Sequence, residues 1–247
     1  MNLIQWVNVK ETDLSFNTLS FAKILNTKEF NNLENILLEN VSFSSPNTSF
    51  DLFLNTKIKH LIFSNNKFKQ ENFKMFDNLS NLISFELRYV GLKYMEQINF
   101  RNFQQLEHLD LPFNLLTELR YESFEFLKKL KFLELKNNKI SVVNSSIFLK
   151  IAFNEKNLLE YLNLENNRII SFGSILTNYL NLELFRSFNR LKSIKPNIFR
   201  GLNYLNDLYL MNQVMFHLHA KSLSHLINVG SIYINELMVR EFKCFIY

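Results

Sequence analysis

Three carboxylates recur at one spacing in the middle of this 247-residue chain: Glu86, Asp110 and Glu134, each 24 residues after the last. Carboxylates brought close together are the minimum for paired acid–base chemistry. Equally, a row of like charges repels itself and gains when a cation or a basic ligand covers it. His217, His219 and His225 crowd together in sequence, but no carboxylate of matching spacing is near, so they read as surface histidines rather than a metal site. Cys244 is the single cysteine, which excludes an internal disulfide framework and a thiolate-rich metal site. Neither a Gly-x-Ser-x-Gly elbow nor a glycine-rich phosphate loop occurs among the 4 glycines. The expectation is a protein that is not an enzyme, with no catalytic, metal-binding or cofactor-binding residue and no small-molecule substrate.

Hydrophobic residues make up 47% and charged residues 21% of the chain, enough apolar matter for a core. No apolar run approaches the roughly 18–20 residues of a membrane-spanning helix, and Met1–Trp6 lacks the basic start and apolar stretch of a signal peptide. Asparagine occurs 35 times and phenylalanine 26 times. At that asparagine content the four Asn-x-Ser/Thr sequons (Asn40, Asn47, Asn78, Asn144) are what chance supplies, so they say nothing about secretion.

What must position the carboxylates is a repeat. Leu-type residues fall at relative positions 1, 4, 6 and 11, with Asn often at 9, as in Leu106/Leu109/Leu111/Asn114/Leu116 and Leu130/Leu133/Leu135/Asn138/Ile140. Ten copies start near residues 9, 33, 58, 82, 106, 130, 159, 182, 205 and 229. Positions 4 and 6 alternate with polar neighbours, the period of two that marks a strand with one buried face. One such strand cannot bury that face alone, whereas copies stacked ~4.8 Å apart form a parallel sheet over a continuous core. An Asn at position 9 can satisfy backbone groups that the turn out of the sheet leaves unpaired. Asn17, Asn66, Asn114, Asn138 and Asn167 are therefore expected to form a buried ladder, with looser turns at Val41, Val90, Gln213 and Leu237. Ahead of each strand stand apolar residues three apart, as in Phe76/Leu79/Leu82 and Phe100/Phe103/Leu106, a spacing that suits a short helical turn packing back on the strands. The phenylalanines thus read as core.

On these residues the chain resembles leucine-rich repeat proteins, from Leu3 to about Val239. The 24-residue copies with Phe ahead of the strand are similar to the "typical" subclass found in Toll-like receptors, Slit-like proteins and small leucine-rich proteoglycans. The resemblance implies an α/β solenoid: a curved horseshoe with a parallel inner sheet of about ten short strands and helical turns and loops outside, one domain over residues 1–247. The cysteine-rich caps of extracellular members are not recognisable here, and the expectation is an excerpt of a longer protein.

Positions 3, 5 and 7 would point from the concave sheet face. Positions 2, 3, 5, 7 and 8 together carry 13 acidic and 6 basic residues, while the whole chain is net +5. An acidic inner face with a basic outer surface would steer a basic protein or peptide. The expected ligand-binding residues are Asp13, Glu86, Arg88, Asp110, Glu134, Lys136, Asn163, Tyr209, Met211 and Tyr233, the last three being types enriched at binding hot spots. Arg186 and Phe188 belong to a copy whose turn matches only with one residue deleted. The 29-residue interval places about five extra residues between Ser145 and Asn157. The leading expectation is non-enzymatic recognition of a protein or peptide by the repeat region of a cell-surface or secreted protein. An intracellular scaffold or adaptor, in the cytoplasm, is the alternative. Nucleic-acid binding ranks below both, because Lys57, Lys59, Lys67, Lys69, Lys128, Lys129 and Lys131 are spread over outer loops rather than gathered in a groove with aromatic platforms.

Overall fold

The architecture is that of a computed structural model, which describes residues 8–19, 32–43, 57–66, 70–143, 158–171, 184–186, 189–191, 193–194, 196–211, 217–218 and 220–234. Among the described residues, ten three-residue strands pair in chain order into one parallel sheet: Glu11–Asp13, Asn35–Leu37, His60–Ile62, Ser84–Glu86, His108–Asp110, Phe132–Glu134, Tyr161–Asn163, Leu184–Arg186, Asp207–Tyr209 and Ser231–Tyr233. The register keeps each column intact. Glu86 stands opposite Asp110 and Asp110 opposite Glu134. The 29-residue step from Phe132 to Tyr161 leaves the pairing undisturbed, so its extra length lies outside the sheet, and residues 144–157 lie outside the described ones.

The core is the repeat written in side chains. Leu82, Phe85, Leu87 and Leu92 fill positions 1, 4, 6 and 11 of one copy, Leu106, Leu109, Leu111 and Leu116 those of the next, and all are fully buried. Each such side chain contributes roughly 1.5–3 kcal/mol by leaving water, which offsets the ordering entropy of so many short elements. Larger rings lock the layers. Phe76 meets Phe63 and Phe85 edge-on at 5.4 and 5.0 Å, and Phe85 meets Phe103 at 5.6 Å. The apolar spacing of three ahead of the strands is explained by tight 3-10 turns, among them Gln70–Phe76, Phe100–Asn102 and Tyr121–Ser123. No helix among the described residues is long and apolar enough to cross a membrane.

The turn leaving the sheet has one geometry in seven described copies. Position 8 is left-handed at Phe16, Asn40, Asn65, Tyr89, Phe113, Asn137 and Asn166, with φ between 49° and 60°. Asn tolerates this conformation because its short side chain bonds locally, whereas a bulky L-residue there costs about 1–2 kcal/mol. The turns at Val41 and Val90 are accordingly not looser than the others. Asn40 and Tyr89 ahead of them are equally left-handed, and the Val41 and Val90 N–H groups donate to Asn66 and Asn114 of the following copy at 2.7 and 3.2 Å. Gln213 and Leu237 lie outside the described residues.

Asn66, Asn114, Asn138 and Asn167 are buried, and each bonds the main chain of two copies at once. The Asn114 amide donates to the carbonyls of Leu87 and Leu111 and accepts from the N–H groups of Val90 and Leu92. Asn17 departs from this pattern: it is exposed, and among the described residues its amide donates within its own turn, to the Leu14 and Ser15 carbonyls. Asn189 joins the column instead. It is buried, accepts from Ile169 N–H at 3.0 Å and donates to the Leu164 carbonyl at 2.8 Å. The deletion in that copy therefore falls between strand and Asn, and Arg186 keeps its register between Asn163 and Tyr209. Phe188 lies outside the described residues.

Candidate functional site

The face of the sheet that carries positions 3, 5 and 7 is half exposed and densely paired. Its centre is Arg88, at position 7 of its copy. Its Nη2 donates to Asp110 Oδ2 at 2.8 Å and, more weakly, to Glu86 Oε2 at 3.3 Å. Its Nε lies 2.9 Å from Glu86 Oε1, within ion-pair range but not aligned as a hydrogen bond. The Ser64 hydroxyl donates to Glu86 at 3.0 Å and accepts from the Arg88 N–H, tying its copy to the next. A cation of the chain's own thus covers two of the three carboxylates, so the row is not a bare acidic strip.

Glu134 is held differently, by the Tyr161 hydroxyl (3.0 Å), the Asn163 amide (2.9 Å) and the Lys136 N–H (2.8 Å). Lys136 turns away from it to pair with Glu165 at 2.7 Å. Asn163, 2% exposed, supports Glu134 from the interior. Burial pushes the Glu86, Asp110 and Glu134 carboxyls above their ordinary values. The Arg88 charge opposes this at the first two, and the hydrogen bonds from Lys136, Asn163 and Tyr161 oppose it at the third. Asp110 Oδ1 is buried with no hydrogen-bond partner.

The remaining expected residues fall into two groups. Asp13 is separated from the charged cluster by Leu37 and Ile62 in the same column, is exposed, and is held below its usual range by Ser15, through its side chain and its N–H. Tyr209 and Tyr233 stack at 4.2 Å and 7° in adjacent strands, with Met211 half-buried beyond them. Glu86, Arg88 and Asp110 are thus brought together, as are Glu134 and Asn163, while Asp13 and the tyrosine pair stand apart.

Sequence reasoning missed two features of this face. Position 3 carries a stack of rings, His108 on Phe132 at 5.7 Å and Phe132 on Tyr161 at 4.0 Å. Position 8 carries exposed aromatics, so not every phenylalanine is core: Phe16 is 73% and Phe113 37% exposed, with Tyr89 at 53%. Their periodicity is that of the repeat, not of a core face, and reading columns 3 and 8 down the copies would have separated them.

The model of the leucine rich repeat family matches residues 80–140 and 104–169, the stretch that contains this cluster. Toll-like receptor 3 of Bos taurus is 31% identical over 161 residues, 60% of this chain and 18% of that protein. The chain thus spans less than a fifth of the length of the curated relatives it matches. Among solved structures, the Toll–Spätzle complex of Drosophila superposes over 84% of this chain and 30% of that one, with a TM-score of 0.65 at 18% identity. A complex of TLR13 with the single-stranded RNA ssRNA13 covers 90% of this chain and 42% of that one, with a TM-score of 0.53 at 19% identity. At those identities the structures speak for the fold alone. Repeat signature, sheet architecture and relatives agree: the chain is a leucine-rich repeat protein.

Proposed function

We propose that this chain is a non-catalytic recognition module that binds a basic protein or peptide on the open face of its sheet. In this reading residues 1–247 form one repeat domain, the ligand-binding part of a cell-surface or secreted protein. The observation that carries it is the charge arrangement around Arg88: two half-buried carboxylates, Glu86 and Asp110, share one guanidinium, Glu134 beside them is held by hydrogen bonds, and the nearby Lys136 is already engaged by Glu165. A cationic side chain from a partner would find carboxylate charge still available there. Similarity to Toll-like receptor 3 supports the receptor setting. Since one structural neighbour is a complex with a protein ligand and another with RNA, ligand class is the point to test.

The test changes charge while holding shape. Glu86→Gln, Asp110→Asn and Glu134→Gln are combined, and binding of a short Arg/Lys-rich peptide and of single-stranded RNA is titrated at one salt concentration. Peptide binding should weaken at least tenfold and RNA binding should strengthen, since the neutralised face no longer repels phosphates. Unchanged peptide binding would sink the reading, and RNA bound tightly by the unaltered chain in preference to the peptide would replace it.

A further inference from the structure

Seven described turns leave the sheet through a left-handed residue at position 8. Four of them use Asn, the residue that suits the conformation; Phe16, Tyr89 and Phe113 do not. The core does not require rings at these sites, for all three side chains are exposed. Tyr89 and Phe113 differ from Phe16 in standing one repeat apart with nothing between them. Their rings stack at 4.5 Å and 16°, making one apolar shelf bounded by Asn65 on one side and Asn137 on the other. Aromatic side chains kept in a disfavoured backbone conformation, and kept in water, point to recognition rather than folding.

The shelf adjoins the charged cluster. Tyr89 follows Arg88 directly, and Phe113 comes three residues after Asp110. On that side carboxylates outnumber cations, and Asp110 Oδ1 is buried without a hydrogen-bond partner. A ligand lying across both features must bring an apolar or aromatic group for the shelf and a positive charge for the carboxylates. Stacked rings also favour a cation over an anion, because their faces are electron-rich. A nucleic acid could stack its bases there but would bring phosphates against Glu86 and Asp110.

We infer that Tyr89 and Phe113 anchor a partner's peptide segment in which an aromatic side chain is flanked by arginine or lysine. This rests on the peptide-recognition reading of the sheet face and names the residues that would carry most of its affinity.

The test exploits the chain's own preference at position 8. In the full chain, Tyr89→Asn and Phe113→Asn are combined, which installs the residue that four sister turns already carry. The probes are a synthetic peptide alternating Trp and Arg, the same peptide with Trp replaced by Ala, and single-stranded poly-uridine RNA. The Trp/Arg peptide should bind the unaltered chain and lose at least tenfold in affinity on the double variant, whose melting temperature should be unchanged or raised. The Ala-substituted peptide should bind both proteins with equal, low affinity. Equal binding of the Trp/Arg peptide to both proteins would overturn the anchor, and a clear drop in melting temperature would reassign the rings to structure. Loss of RNA binding in the double variant would overturn the peptide as occupant. A companion variant, Glu86→Gln with Asp110→Asn, separates the two readings. If it weakens the peptide while the aromatic variant does not, the anchor fails and the sheet-face reading stands. If no peptide binds the unaltered chain, both fail.

Discussion

Arg88 and Asp110 stand in consecutive copies of the repeat, yet the guanidinium of one lies 2.8 Å from the carboxylate of the other. Twenty-two residues separate them in sequence. The parallel register brings Asp110 beside Glu86, and Arg88, two residues past Glu86 on the same face, closes over both. Neither carboxylate would tolerate its partial burial as well without this cation.

Replacing Arg88 with Met should therefore destabilise the chain through the charges it leaves behind. A fully buried pair broken in this way costs about 3–5 kcal/mol. With the Arg88 side chain 43% exposed, solvent screening reduces the expected loss to about 1–2 kcal/mol at pH 7. Urea unfolding at pH 7 and at acid pH checks the mechanism, because protonating Glu86 and Asp110 removes the uncompensated charge. A loss equal at both pH values would refute it.

The pH dependence of the unaltered chain carries a definite sign. Asp110, Glu86 and Glu134 have folded-state values raised above 3.8, 4.5 and 4.5 by burial, so within that window the folded chain binds more protons than the unfolded one. Their contribution to stability falls as pH rises through the raised values. Glu34 and Glu107, lowered by hydrogen bonds from Lys59 and Lys131, act in the opposite sense, and their contribution is lost in acid as pH falls through the lowered values. Asp110→Asn should remove one of the first kind and flatten the decline of unfolding free energy above pH 4. A steeper decline would contradict the assignment.

Asn114→Ala should be among the most damaging polar substitutions. It strips partners from the Val90 and Leu92 N–H groups and the Leu87 carbonyl inside the core, for a loss of about 2–4 kcal/mol. Asn17→Ala removes exposed bonds within one turn, those to the Leu14 and Ser15 carbonyls, and should cost less than about 1 kcal/mol. Chemical denaturation of the two variants side by side gives the comparison, and similar losses would show that the column is not a ladder.

Phe85→Ala opens a void between Phe76 and Phe103 and should cost about 3–5 kcal/mol. Repeats contact chiefly their neighbours, so the damage should stay local. Amide exchange should accelerate across residues 76–109, while Leu208 and Leu210, several copies away, keep their protection. Uniform acceleration would mean that the solenoid unfolds as one unit.

Much of this was legible because a solenoid stacks what the sequence repeats. Leu109 and Leu133, 24 residues apart, could be set on adjacent strands before any coordinate was known. The same arithmetic set Glu86, Asp110 and Glu134 side by side. Asn189 was harder to read, since the missing residue could have fallen before or after the strand, and only the backbone bonds to Ile169 and Leu164 decide between them.

Periodicity by itself determined which residues share a column, because parallel strands in constant register convert sequence spacing directly into neighbourhood. Contacts between columns were decided only by the tertiary structure. Arg88 crosses from position 7 to the carboxylates of two copies, Lys136 chooses Glu165 over Glu134, and Tyr161 reaches from position 3 to Glu134. Left-handed turns bring Tyr89 and Phe113 into a stack that no spacing rule names. Long side chains choose among several partners within reach, and that choice depends on burial, direction and the competing charges around them rather than on their place in the repeat.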